Sequence, residues 1–217
     1  MDFKKARRHM VDSQVRPNDV TDLRLLAAME EIPREVFLPT ELRNQAYVEH
    51  DVGFAQGRYL LRARDFAKLV SAAAPKSNDL VLNAVSGSGY STAVLSHLVE
   101  MVVAVEKNEE LSSKAEENLT TLGVSNAAVI VGDPAQGAPK QGPFDLIFIG
   151  GAIEVEPTSL LQQLKDGGRL AALKLRDGLV RGVVIHRTGD VFAESVAFDA
   201  ASQLVLPEFK AEKSFVF

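Results

Sequence analysis

From Asp79 onward the chain alternates short apolar runs with helical segments, and this alternation restricts the fold more than any other feature. The apolar runs are continuous, which is typical of strands buried on both faces of a parallel sheet. The predicted strands cover 80–82, 101–105, 127–131, 144–149 and 169–175. The predicted helices include Ala93 to Leu98, 109–122 and 158–164. We therefore expect an α/β fold with a parallel sheet.

The end of the chain departs from this alternation. The apolar segments 180–187 and 191–198 flank Thr188-Gly189-Asp190, with no room for a helix between them. This pattern predicts an antiparallel hairpin at the edge of the sheet. We interpret residues 213–217 as further edge structure.

The first part of the chain is predicted to be helical with breaks. Helical spacing runs from Phe3 to Arg16-Pro17, where a helix should stop. Thr21 or Asp22 is expected to cap a second helix. Pro33 and Pro39 bracket a short turn, and a further helix is predicted over 65–74. Between them, 53–64 shows little periodicity and is predicted to be a loop.

Composition narrows the function classes. The 217 residues include no cysteine, which excludes disulfides, thiolate zinc sites and a cysteine nucleophile. Four histidines lie in separate segments without metal-ligand spacing. A net charge of −5 argues against nucleic-acid binding. No apolar run approaches the length of a membrane span and no signal peptide is evident, so we expect a soluble cytoplasmic protein.

A glycine-rich turn after the first strand of the sheet indicates a nucleoside site. Gly87-Ser88-Gly89 lets backbone approach a ligand, and the following helix offers N–H donors. Glu106 ends the next strand, where a carboxylate can bind ribose hydroxyls, and Asp133 follows the third. Thr92 stands where a dinucleotide turn has glycine or alanine, which disfavours a nicotinamide-dependent oxidoreductase.

Over nearly its whole length the chain resembles the protein-L-isoaspartate O-methyltransferase family. The early segment Pro33-Arg34-Glu35-Val36-Phe37 is more specific than the glycine turn, which many methyltransferases share. The similar stretches are 10–16, 28–39, 46–47, 86–90, 118–126, 132–133, 143–145 and 164–170.

The resemblance implies a Rossmann-like class I methyltransferase fold, an α/β/α sandwich with a mostly parallel seven-stranded sheet. It implies one structural domain, in which an N-terminal helical segment and substrate loop (1–64) pack on the methyltransferase-like part (65–217). It also implies S-adenosylmethionine as cofactor. Acceptors would be isoaspartyl residues of damaged proteins, or a small carboxylic acid. The implied cofactor-binding residues are Asn83, Ser86, Gly87, Gly89, Glu106 and Asp133.

This chain departs from the family pattern at three places. Asn83 replaces an acidic residue at the end of the first strand, and Val85 replaces a glycine. A β-branched residue disfavours positive φ and narrows the space beside the cofactor. In the substrate loop the family has Gly-Gln-Thr-Ile-Ser-Gln-Pro, whereas this chain has Gly57-Arg58-Tyr59-Leu60-Leu61-Arg62-Ala63. Arg58 therefore stands where the family has glutamine, and both hydroxyl residues are replaced, by Tyr59 and Leu61.

The loop leaves Tyr59 and Arg62 as candidates for handling the substrate. A phenol can donate a hydrogen bond, and Arg58, Arg62 or Arg64 could pair with an anionic substrate or simply keep an exposed loop soluble. The leading hypothesis is methyl transfer to a carboxylate. The alternative is a non-catalytic binding or regulatory module that retains the fold.

Overall fold

The structure is a computed structural model that describes residues 1–202 and 204–212. A small hairpin precedes the main sheet, and its strands are β1 (Val52–Ala55) and β2 (Arg58–Leu60). The main sheet contains β3 (Leu80–Asn83), β4 (Met101–Glu106), β5 (Ala127–Val131), β6 (Phe144–Ile153), β7 (Leu164–Arg176), β8 (Leu179–Thr188) and β9 (Val191–Asp199).

The main sheet has the order β5-β4-β3-β6-β7-β8-β9. Its first five strands in this order run parallel, whereas β8 is antiparallel to both of its neighbours. The predicted Rossmann-like fold with an antiparallel C-terminal hairpin is therefore confirmed. Strand order reverses between β3 and β6, and ligands of open α/β sheets bind outside the carboxyl ends of the strands at such a point.

Two hydrophobic clusters cover the two faces of this sheet. Along β6, Leu146 and Phe148 belong to one cluster, whereas Ile147 and Ile149 belong to the other. Successive strand residues point to opposite faces, so a continuous apolar run fills both clusters. The continuous apolar strands in the sequence thus have a direct structural cause.

The helices are distributed unequally between the two faces. They are α1 (Phe3–Met10), α2 (Leu23–Glu31), α3 (Ala63–Ala73), α4 (Tyr90–Ser96), α5 (Glu109–Thr121) and α6 (Thr158–Leu161). Residues from α1 to α5 join the first cluster, and α6 joins the second with the 3₁₀ turn Pro207–Phe209. The second helical layer is therefore thin in the described part of the chain.

The N-terminal segment shares a hydrophobic cluster with the rest of the protein. Met10 and Met29 belong to the same buried cluster as Phe66, Leu69 and Leu95. The proposed division between 1–64 and 65–217 stays a prediction, and the shared cluster supports treating both parts as one structural domain.

Several predicted boundaries differ from the structure. The first helix ends at Met10, and a π-helical turn (Val11–Val15) and a 3₁₀ turn (Arg16–Asn18) continue to the predicted stop. The second helix is capped by Asp22, whose carboxylate accepts a hydrogen bond from the N–H of Arg24 at 2.8 Å. The predicted helix over 158–164 ends at Leu161, because β7 already begins at Leu164.

The prediction of a loop over 53–64 was wrong. The segment forms the β1–β2 hairpin and the start of α3, with Gly57 at a φ of +66° in the turn. Strands of three or four residues are too short to show a period, so the sequence pattern could not reveal them. The predicted edge structure at 213–217 lies outside the described residues.

Within residues 1–202 and 204–212, no helix combines the length and apolar character required to cross a bilayer. The same residues contain no cluster of histidine, aspartate and glutamate suited to a metal ion.

At the amino-terminal edge of the sheet, Asp145 on β6 forms hydrogen bonds to both neighbouring strands, β3 and β7. Its Oδ2 accepts a hydrogen bond from the N–H of Leu80 at 2.8 Å and one from the Lys165 ammonium at 2.7 Å. Burial alone would raise the pKa of Asp145, but these two donors hold it below its ordinary value of 3.8. The folded state therefore favours the ionised carboxylate.

We expect Asp145→Asn to lower the free energy of unfolding by about 1 kcal/mol at pH 7. Because the folded-state pKa of Asp145 is depressed, its contribution is present above the ordinary pKa and is lost as pH falls through the folded-state value. Urea unfolding of both proteins between pH 7 and pH 2.5 checks this. A difference that is independent of pH would contradict it.

Candidate functional site

The glycine-rich turn lies at the carboxyl end of β3, at the point where strand order reverses. Gly87 has a φ of +54°, and Gly89, with a φ of +101°, caps α4. Both conformations favour glycine. The N–H of Ser86 donates to the carbonyl of Val105 at 2.9 Å, which joins the turn to β4.

Glu106 is the buried acid at the end of β4. Its side chain is fully buried and accepts four hydrogen bonds. Two come from backbone N–H groups, of Gly87 at 2.9 Å and of Asn108 at 3.0 Å. The other two come from Arg58, from Nε at 2.8 Å and from Nη2 at 2.9 Å. A carboxylate offers about four acceptor positions, so this one is saturated.

Arg58 lies on β2 and is only 6% exposed. Besides Glu106, it donates to Glu208 at 2.8 and 3.2 Å and to the carbonyl of Gly57 at 3.0 Å. The five N–H groups of its guanidinium are thus all used. Burial disfavours its charge, but the hydrogen bonds to Glu106 and Glu208 outweigh this and raise the pKa of Arg58 above its ordinary value.

Side chains of the hairpin cover the backbone of the turn and of β6. The Phe54 ring lies 3.2 Å from the position that a Cβ of Gly87 would take. The Tyr59 hydroxyl and Leu206 Cγ each lie 2.7 Å from the corresponding position of Gly151. A cavity of about 40 Å³ remains between them. That volume accommodates a few water molecules.

The segment 204–209 closes this edge of the sheet. The N–H of Leu206 donates to the carbonyl of Ala152 at 2.9 Å, and the N–H of Glu154 donates to the carbonyl of Phe209 at 2.9 Å. The Tyr59 hydroxyl donates to the carbonyl of Leu204. Burial raises the pKa of the Tyr59 phenol, which keeps it protonated at neutral pH.

The segment from Pro33 to Phe37 contacts the chain where the hairpin ends, through Arg34. The buried Arg34 donates from Nε to the carbonyl of Ala46 at 2.7 Å and from Nη2 to the carbonyl of Leu61. Its guanidinium lies 4.8 Å from the centre of the Tyr90 ring. Arg34 therefore links the end of the hairpin to α4.

The structure brings only some of the predicted site residues together. Ser86, Gly87, Glu106 and Tyr59 surround the turn. Gly89 instead faces α5, since its Cβ position would lie 3.3 Å from Ala115 Cα.

The remaining predicted residues lie beside the turn or away from it. Asn83 donates from Nδ2 to the Ser91 and Thr92 hydroxyls, each at 2.8 Å, and its buried Oδ1 has no hydrogen-bond partner among the described residues. Asp133 is exposed beyond β5. Arg62 pairs with Glu49 at 3.4 Å. The roles predicted for these residues stay predictions.

Val85 stands in the turn where the family has glycine, and it does so without a positive φ. Among the described non-glycine residues, positive φ values occur at Asp19, Ala74 and Asp177. Val85 is 7% exposed, packs in the second cluster and also lines the small cavity. The turn thus accepts valine without strain, while its side chain takes up space at the site.

Sequence reasoning missed the pairing of Arg58 with Glu106 and Glu208. From the sequence, Arg58 is expected to pair with an anionic substrate or to keep an exposed loop soluble. The available signal is that arginine stands at position 58, where the family has glutamine. Glu208, 150 residues from Arg58, gave no signal.

Comparisons with known proteins decide the family. The family model "Protein-L-isoaspartate(D-aspartate) O-methyltransferase (PCMT)" matches residues 5–174. A relative named protein-L-isoaspartate O-methyltransferase, from Methanoculleus marisnigri, is 37% identical, covering 78% of this chain and 77% of its own. Protein-L-isoaspartate O-methyltransferase 2 from Marinobacter nauticus is 35% identical, covering 91% and 90%. The chain belongs to this family.

A solved structure has the same fold. It is a putative protein-L-isoaspartate O-methyltransferase from Plasmodium falciparum in complex with S-adenosyl-L-homocysteine. Its TM-score is 0.76 at 18% identity, covering 93% of this chain and 98% of the other. This likeness supports the fold of the isoaspartyl methyltransferase family.

The family binds S-adenosylmethionine, but the residues at this edge do not fit that cofactor as they are arranged. Ribose hydroxyls need acceptor positions on Glu106, and Arg58 uses the two that the backbone leaves. Phe54 covers Gly87, and the cavity next to the turn, of about 40 Å³, is far smaller than a nucleoside; a groove of about 380 Å³ lies on the other side of Arg58 and Glu106. Among the described residues, the buried Oδ1 of Asn83 has no hydrogen-bond partner and could accept a bond from an added donor.

We expect Gly151→Ala to lower the free energy of unfolding by about 1–3 kcal/mol, because the new methyl group would meet Leu206 and the Tyr59 hydroxyl at 2.7 Å. Leu206→Ala alone should cost about 2–5 kcal/mol by leaving a cavity. The double variant should cost at least about 1 kcal/mol less than the sum, since the added methyl fills part of that cavity.

Urea unfolding of the three variants measures this coupling. Gly53→Ala is the matched control, because no atom lies within 4 Å of its Cβ position and its φ is not positive. Strict additivity of Gly151→Ala and Leu206→Ala would show that the segment 204–209 is not seated on β6 as described.

Proposed function

We propose that this chain is an S-adenosylmethionine-dependent carboxyl O-methyltransferase that acts on L-isoaspartyl residues of damaged proteins. Membership of the isoaspartyl methyltransferase family, over residues 5–174, carries this proposal. The fold supports it, because the glycine-rich turn and Glu106 meet at the carboxyl edge, where strand order reverses.

The roles of individual residues are part of this proposal. Glu106 would bind the ribose of the cofactor, and Asp133 would bind its adenine side. The backbone of Gly87 and Gly89 would contact the methionine end, with Asn83 and Ser86 beside them. Tyr59 and Arg62 are the candidates for the substrate side. Of these, Tyr59 has the stronger support, because it lines the cavity next to Val85 and Ser86. A cytoplasmic location and the absence of nucleic-acid partners stay predictions.

The assay is methyl transfer from labelled S-adenosylmethionine to a synthetic peptide that contains one L-isoaspartyl residue. The same peptide with ordinary aspartate is the control substrate. We expect label to appear as a base-labile methyl ester on the isoaspartyl peptide and at least about tenfold less on the aspartyl peptide, which presents its carboxylate one atom out of place.

The wild-type protein should be assayed at saturating cofactor together with Arg58→Gln, a variant that lacks the two arginine hydrogen bonds to Glu106. Absence of isoaspartyl methylation by both folded proteins would contradict the proposed function. That result would favour the alternative of a non-catalytic module, for which the occupied state of Glu106 is the supporting observation.

A further inference from the structure

The buried ion cluster of Arg58, Glu106 and Glu208 lies where a nucleoside would bind. One guanidinium joins the end of β4 to the segment 204–209, with exposed side-chain fractions of 6%, 0% and 8% for the three residues. Every donor of the arginine and every acceptor position of Glu106 is used. A buried polar network in which every group is satisfied is rigid, so the closed arrangement is the favoured one in the free protein.

We propose that Arg58 is an internal competitor of the cofactor, which takes the ribose position on Glu106 and holds the site closed. The fork of its guanidinium matches a carboxylate as a pair of vicinal hydroxyls does, and its charge makes the bonds stronger. The inference rests on the proposed function, because it concerns access to the same site.

The site can open without leaving Glu106 unpaired. When Arg58 departs, the carboxylate keeps the N–H groups of Gly87 and Asn108. An open groove of about 380 Å³ lies directly beside the pair, and Gln56, Lys107 and Glu208 are among its lining residues. The guanidinium can therefore move into solvent on this side without a change in the main sheet.

Closure lowers the apparent affinity for the nucleoside. The observed dissociation constant equals the intrinsic value divided by the fraction of open molecules. Removal of the arginine fork should raise that fraction. Arg58→Gln keeps a polar side chain and restores the residue type that the family has, but it cannot form two charged hydrogen bonds to Glu106.

Titration calorimetry with S-adenosylhomocysteine tests the proposal. We expect Arg58→Gln to bind at least about tenfold more tightly than the wild type. Arg58→Lys keeps the charge without the fork, and Glu208→Gln removes one partner of Arg58, so both should give smaller gains of about two- to fivefold. Arg181→Gln is the control, because Arg181 is exposed on β8 and pairs only with Asp199 among the described residues.

Circular dichroism checks that each variant is folded. If Arg58→Gln does not fold, the affinity of Arg58→Lys for S-adenosylhomocysteine tests the proposal instead. Equal affinities of the wild type and the Arg58 variants, or absence of binding by all of them, would overturn the proposal. Tighter binding by Arg58→Gln, with no isoaspartyl methylation by either the variant or the wild type, would instead contradict the proposed function and leave the role of Arg58 intact.

Discussion

A fully buried carboxylate must be satisfied by hydrogen bonds, and in this protein that requirement falls on Glu106. The parallel sheet places it at the carboxyl end of β4, beside the turn after β3. The backbone supplies two donors, from Gly87 and Asn108. The other two donors come from the guanidinium of Arg58, which lies on a hairpin outside the main sheet. The arrangement of the whole carboxyl edge follows from this pairing.

Distant segments converge on the edge to hold the pair in place. The N-terminal part contributes Arg34, which bonds to the backbone at Ala46 and at Leu61, where the hairpin ends. The C-terminal part contributes Glu208 and seats Leu206 against Gly151. The cavity between them is small because each of these contacts brings protein atoms into the space that nucleoside ligands use in such folds.

The sequence predicted the sheet well because each strand carries its own signal. The runs at 101–105 and 127–131 are continuous and apolar, and strands form there within one residue of the expected bounds. The antiparallel hairpin near the C-terminus was equally predictable from the turn Thr188-Gly189-Asp190. These features can be recognised from neighbouring residues in the sequence, without knowledge of the tertiary structure.

The site was less predictable because its decisive contact is tertiary. Gly87 and Glu106 were identified from their places after successive strands, and the structure does bring them together at 2.9 Å. The partner of Glu106 lies 48 residues away on a strand of three residues, too short to show a period. Whether an arginine is exposed or buried against two acids depends on how the hairpin and the segment 204–209 pack. No local pattern in the sequence carries that information.

The guanidinium of Arg58 is held on Glu106 by two charged hydrogen bonds, and we infer that it stays fixed there in solution. Nitrogen-15 NMR of arginine Nε–H groups tests it directly, with Arg58→Gln to assign the resonance. We expect a slowly exchanging Nε–H of Arg58 in the free protein, which loses its protection when S-adenosylhomocysteine is added in excess. Rapid exchange in the free protein, equal to that of exposed arginines, would contradict it.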